Sequence, residues 1–97
     1  MPRKGTVIVQ HRVKDFEYWK PFFTGDSKRQ KKAGFTSWRL MKDITDPNNI
    51  IIVFECNDLE KAKRVYSDPA VAKIIKKAGV VGEASFFLAE DSESKKL

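Results

Sequence analysis

The sequence predicts a single α+β domain: one four-stranded antiparallel sheet, strand order 4-1-3-2, with its helices on one face. Three observations lead there. Short runs rich in Val, Ile and Phe alternate with segments whose apolar residues recur at helical spacing. The tetrapeptide KKAG occurs twice, at Lys31 to Gly34 and at Lys76 to Gly79, each time closing a helical segment and opening a strand. Between the two halves lies DITDPNN, a turn sequence, so the chain divides into two strand–helix–strand units. Right-handed crossovers then put the first and third strands side by side in the middle of the sheet.

Taken in order, Thr6 to Val13 is the first strand, dense in Val and Ile. Asp15 is a good N-cap for a helix running to about Ala33. Pro21 removes a backbone donor inside it, which predicts a kink or a 3₁₀ opening turn near Trp19 to Pro21, and Gly25 weakens the helix further. Gly34 supplies a left-handed position after the helix, and Phe35 to Lys42 is the second strand. In the turn, Asp46-Pro47 sets the reversal and Asn48-Asn49 tolerate positive φ. Ile50 to Cys56 is the third strand. Asp58 caps a helix with Leu59, Ala62, Val65 and Tyr66 on one face. Asp68 and Pro69 restart it as N-cap and first helical residue, and Gly79 ends it. Val80 to Glu90 holds the fourth strand. The layout is ferredoxin-like. Residues 1–90 form the domain and residues 91–97 a polar tail.

Composition narrows the function. With 97 residues and one cysteine the chain is one domain without an internal disulfide, and a cytoplasmic location is expected. No apolar run approaches membrane-spanning length. The net charge of +6 raises the possibility of a nucleic-acid partner. Its lysines, however, sit in SKRQKK, EKAKR and KIIKK, where they read as solvated helix faces, so no specific nucleic acid is expected. Cys/His clusters at zinc spacing and a glycine-rich phosphate loop are both missing, and neither a metal nor a cofactor is expected.

The central strands do not alternate cleanly. Val7 to Val9 and Ile50 to Phe54 are apolar on both sides, and helices can cover only one. An uncovered apolar face predicts a homodimer stacked sheet to sheet.

These features resemble the dimeric α+β barrel superfamily, in particular a small subgroup like the antibiotic-biosynthesis monooxygenases. The resemblance spans about Lys4 to Glu90. It rests on the tandem units, the aromatic helix opening DFEYW, DPNN before an apolar strand ending FE, the following DLEKA, and SDP before the last helical segment. Proteins of this superfamily include cofactor-free monooxygenases, haem-degrading enzymes, isomerases and proteins without known activity. The resemblance therefore implies a small, partly apolar ligand, with monooxygenase-like or isomerase-like chemistry. Alternatives are a non-catalytic dimeric interaction module and a weak basic nucleic-acid binder. Haem-degrading members carry their iron ligand on a helix, whereas the single histidine here, His11, falls on a strand.

His11 is the candidate catalytic residue, because an imidazole titrates near neutral pH. The competing reading is a structural histidine, bonded to a backbone carbonyl or to a carboxylate such as Glu17. Trp19 and Phe23 are candidate walls for a flat ligand, with core packing as the alternative, and Trp38 reads as core. Pairing Lys42 with Ile50 would put Trp38, Leu40, Ile52 and Phe54 on one face and Ser37, Arg39, Met41, Ile51, Val53 and Glu55 on the other. Arg39 and Glu55 are then candidate ligand contacts, or an ion pair with each other.

Overall fold

Every helix start in this chain is written by an aspartate, and three of the four aspartates do the chemistry themselves. In a computed structural model describing residues 3–97, Asp15, Asp58 and Asp68 each accept a hydrogen bond from a backbone N–H of the turn they open. The elements are β1 (Gly5–Val13), α1 (Phe16–Thr24), α2 (Ser27–Lys32), β2 (Phe35–Lys42), β3 (Asn49–Cys56), α3 (Leu59–Tyr66), α4 (Pro69–Lys77) and β4 (Val80–Ala89). All strand pairs are antiparallel and the sheet order is β2-β3-β1-β4, the ferredoxin-like order expected.

The two KKAG copies have one structural job. Gly34 and Gly79 both take positive φ, +88° and +92°, which ends the helix and turns the chain into the next strand. Their carbonyls are used alike. Gly34 O accepts from Asn57 N and Gly79 O accepts from Lys14 N. Asn57 and Lys14 each precede the cap aspartate of the opposite unit, so each half of the molecule ties down the helix start of the other.

Two local expectations are corrected. The helix opened by Asp15 has no 3₁₀ opening turn and does not run unbroken to Ala33. Pro21 lies inside α1, and the break comes at Gly25 and Asp26, between α1 and α2. Pro21, the sixth of the nine residues of α1, costs a single backbone hydrogen bond. The helix ends at Gly25, whose N–H bonds back to Pro21 O and Phe23 O, although proline is the poorer helix former of the two. The DITDPNN turn uses no positive φ at Asn48 or Asn49, because among the described residues only glycines adopt it. Side chains close the turn instead: Asp43 accepts from Thr45 N, and Asp46 accepts from Asn48 N.

The register pairs Lys42 with Ile50, as expected, and sorts the sheet into two faces. Val7, Val9, His11, Ile50, Ile52 and Phe54 point under the helices and are all buried. There Phe54 stacks on Phe35 with ring centroids 4.0 Å apart, and Phe23 packs on Phe54 from α1. On the opposite face Ile8 sits between Val53 and Phe87, with Ile51 and Met41 alongside. No helix covers this side, and Phe87 is 58% exposed. Cys56 is buried, donates to Ala33 O at 3.7 Å, and has its thiol pushed up by burial, so it acts as a core residue.

Candidate functional site

His11 arrives under the helices by strand alternation. It follows Val7 and Val9 on the inward side of β1 and faces Ile50 on β3. On its other flank the sheet is irregular. Gln10 pairs with Ser85 of β4 and Arg12 pairs with Val81, so Gly82, Glu83 and Ala84 bulge out opposite His11. Gly82 carries φ +73° within this bulge. Bulges of this sort re-aim side chains and open a sheet beside a site.

Trp19 comes down from α1 and meets the imidazole edge-on, with ring centroids 5.3 Å apart. Phe23, one helical turn later, stacks on Trp19 at 5.1 Å. Trp38 then meets Phe23 edge-on at 4.8 Å. Contrary to its reading as core, Trp38 remains 45% exposed, because it stands on the edge strand β2 and only one side of it is covered by α1.

These groups surround a cavity of ≈ 80 Å³ between sheet and helices. His11, Trp19 and Phe23 line it, with Ile52 and Phe54 as floor and Val80 and Phe86 toward β4. Phe22 and Ile74, each 40% exposed, form its rim.

His11 is the polar exception on the covered face. It is 5% exposed, and its Nδ1 is buried without any hydrogen-bond partner in the protein. No hydrogen bond of normal geometry reaches that atom from a backbone group or from Glu17, although the residue's own backbone partly offsets the effect of burial on the ring. Burial lowers the imidazole pKa below its ordinary value, so the ring is neutral at pH 7. A buried polar atom left unpaired costs stability, on the order of 1–3 kcal/mol. An unpaired buried atom of this kind calls for an explanation, whether a water, an ion, strain or a functional role.

The structure brings His11, Trp19 and Phe23 together and sets Arg39 and Glu55 apart from them. Arg39 and Glu55 stand on the uncovered face of β2 and β3, where Arg39 pairs with Val53 and Ser37 with Glu55. No ion pair joins them among the described residues. Asp26, Gln30 and Tyr66 also line the cavity, and the sequence reading did not single out any of them as site residues. The signal for Asp26 was the Gly25 break, which turns α2 back toward the sheet. The signal for the bulge was Gly82 inside a strand.

No protein-family profile matches the sequence, and no curated protein matches it. Solved structures do. SnoaB, a cofactor-independent oxygenase from Streptomyces nogalater, superposes with a TM-score of 0.68 at 15% identity, covering 96% of this chain and 99% of that one. An antibiotic biosynthesis monooxygenase gives 0.66 at 14%, with 91% and 98% covered. A conserved protein from Methanosarcina mazei gives 0.59 at 11%, with 90% and 91% covered. At such identities the likeness is one of architecture. In fold, the chain is a ferredoxin-like α+β protein of the kind seen in the antibiotic biosynthesis monooxygenases.

Proposed function

We propose that the cavity beside His11 binds and transforms a small, flat, partly apolar molecule, and that the protein works as a homodimer joined through its open sheet faces. The observation that carries the first part is the buried, unpartnered Nδ1 of His11 against an aromatic wall. A neutral imidazole in a dry site can take a proton from a weakly acidic O–H or C–H of a bound ring. That proton transfer is common to cofactor-independent oxygenation, where the resulting anion gives electrons to O₂, and to isomerisation, where the proton returns at another atom. The first of these matches the description of SnoaB. The protein's part is to hold the ring against Trp19 and Phe23, exclude water and accept the proton.

The support for the dimer is the open face itself. Ile8, Ile51, Val53 and Phe87 form an apolar centre. At its end, Gln10 Nε2 donates to Asn49 Oδ1 and Asn49 Nδ2 donates to Asp43 Oδ2, a polar border. An apolar centre with a polar rim is interface anatomy. A second copy stacked on it would bury about 1,500 Å² or more in total.

The size of the cavity favours a second reading, a non-catalytic dimeric module. Its ≈ 80 Å³ is less than the roughly 150 Å³ of an engineered cavity that binds benzene. A ligand must therefore move the rim residues Phe22 and Ile74. Titration with 4-methylphenol, followed by tryptophan fluorescence, separates the readings. The site reading expects saturable binding, about millimolar for so few atoms, and its loss in His11→Ala with little change in melting temperature. Absence of binding, or equal binding by His11→Ala, supports the module.

A further inference from the structure

The cavity has a second polar end. Beyond Phe23 the chain turns at Gly25, and Asp26 comes to line the same cavity as His11, with Tyr66 facing in from α3. Asp26 stands where the N-cap of α2 should be, yet its side chain caps nothing. An aspartate there ordinarily accepts from the backbone of the first turn. Its Oδ1 instead accepts from Arg29, and the pair is only partly exposed. Burial pushes the Asp26 carboxyl up and the Arg29 charge opposes this.

Tyr66 is anchored through its ring. Phe35 stacks on one side at 5.7 Å and Phe86 tilts against it at 5.8 Å. Its phenol is pushed up to about 12, by burial first and then by the Asp26 carboxylate, with no hydrogen bond contributing. Asp26 and Tyr66 line the same cavity, and no hydrogen bond joins them. Gln30, whose Nε2 donates to Phe23 O at 3.2 Å, lines the cavity as well.

We infer that Asp26 and Tyr66 form a second recognition end of the cavity, which takes a hydroxyl at the far end of a ring whose near end meets His11. The inference rests on the proposed His11 site and adds the polarity pattern of its ligand. The ligand hydroxyl donates to Asp26 and accepts from Tyr66. Both ends line the one cavity, with the rings of Trp19 and Phe23 lining it as well. A para-substituted benzene ring presents a polar group at each end and an apolar face between them.

The test compares 4-hydroxybenzyl alcohol with 4-methylphenol, which lacks only the second hydroxyl. Dissociation constants are measured by tryptophan fluorescence for the unaltered protein, His11→Ala, Asp26→Ala and Tyr66→Phe. The inference expects the alcohol to bind about 10-fold tighter or better, as for a hydrogen bond to a charged group. Asp26→Ala and Tyr66→Phe should each shrink that ratio toward one while leaving 4-methylphenol affinity within about two-fold. Tyr66→Phe preserves the ring packing, so it remains informative where Asp26→Ala disturbs the α1–α2 turn. Equal affinity of the two probes for the unaltered protein overturns the inference, as does a ratio that survives both variants. Failure of both probes to bind, or binding indifferent to His11→Ala, brings down the site reading first and this inference with it.

Discussion

The two faces of the sheet are each best read by their exception. Beneath the helices every inward side chain of β1 and β3 is buried and apolar save one, and that one is His11. The uncovered face is mixed, with Gln10, Arg39 and Glu55 among its members, and its exception is the apolar centre around Ile8 and Phe87. A polar atom left unpaired in an apolar core is the basis for the proposed ligand site. An apolar patch on a wet surface points to a second protein surface. One strand, β1, carries both messages on alternate residues.

The largest effect should come from damaging the covered face where it is most tightly packed. Phe54→Ala removes the ring stacked on Phe35 and touching Phe23. Denaturant unfolding should show a loss of about 3–5 kcal/mol. A loss below about 1 kcal/mol would mean that the two faces do not differ in packing.

On the open face a charge should act through assembly instead. Ile8→Asp places a carboxylate between Val53 and Phe87. Sedimentation equilibrium should show the dimer weakened by 100-fold or more, about 3 kcal/mol, leaving the 11.1 kDa chain as the main species at micromolar concentration. If the unaltered protein already sediments at that mass, the open face has some other purpose.

These two contrasts also show what was legible in the sequence. Strand parity along VIVQHRV, and the pairing of Lys42 with Ile50, are period-two patterns that follow from the residues alone. So did the glycines that close the helices, because positive φ selects for glycine. The break at Gly25 instead of Pro21 runs against intrinsic propensity, which ranks proline the poorer helix former, and tertiary context overrides that ranking. The candidate site was half legible. His11, Trp19 and Phe23 meet because helical and strand periods both aim them inward. Asp26 and Tyr66 join them only through tertiary packing across α1 and α3. Arg39 and Glu55 were placed on the correct face by register, but that face turned out to be the one opposite the cavity.

A smaller effect, and of opposite sign, is expected at the polar exception. His11→Leu replaces an unsatisfied imidazole by an apolar side chain and should raise stability by about 1 kcal/mol. A residue kept at a cost to the fold is consistent with a functional role. The pH dependence sharpens this. Burial lowers the folded-state pKa of His11 below the unfolded value of about 6.5. The unfolded chain therefore binds a proton that the folded one refuses, and stability should fall as pH drops below about 6.5 toward the lowered folded value. That slope should be absent in His11→Leu. A melting temperature with the same pH slope in both proteins would place the titration elsewhere.

The smallest effects belong to surface charge. Arg39→Ala should change monomer stability by no more than about 0.5 kcal/mol and leave 4-methylphenol binding unaltered, because Arg39 lies across the sheet from the cavity. Lys28, Lys31, Lys32, Lys61, Lys63, Lys73, Lys76 and Lys77 are all exposed on helices. Short DNA and RNA should bind by fluorescence anisotropy at only about 10⁻⁴–10⁻⁶ M at physiological salt. Nanomolar, sequence-selective binding would turn attention from the cavity to the helical surface.

In the proposed site, Nδ1 of His11 is unpartnered because it waits for a ligand atom. Nitrogen-15 NMR of the imidazole, recorded while 4-methylphenol is added, addresses that atom itself. The account predicts a neutral ring at pH 7 whose Nδ1 resonance moves in step with the fluorescence titration. An Nδ1 resonance that stays fixed while the probe saturates the protein would place the binding site elsewhere and leave His11 a structural residue.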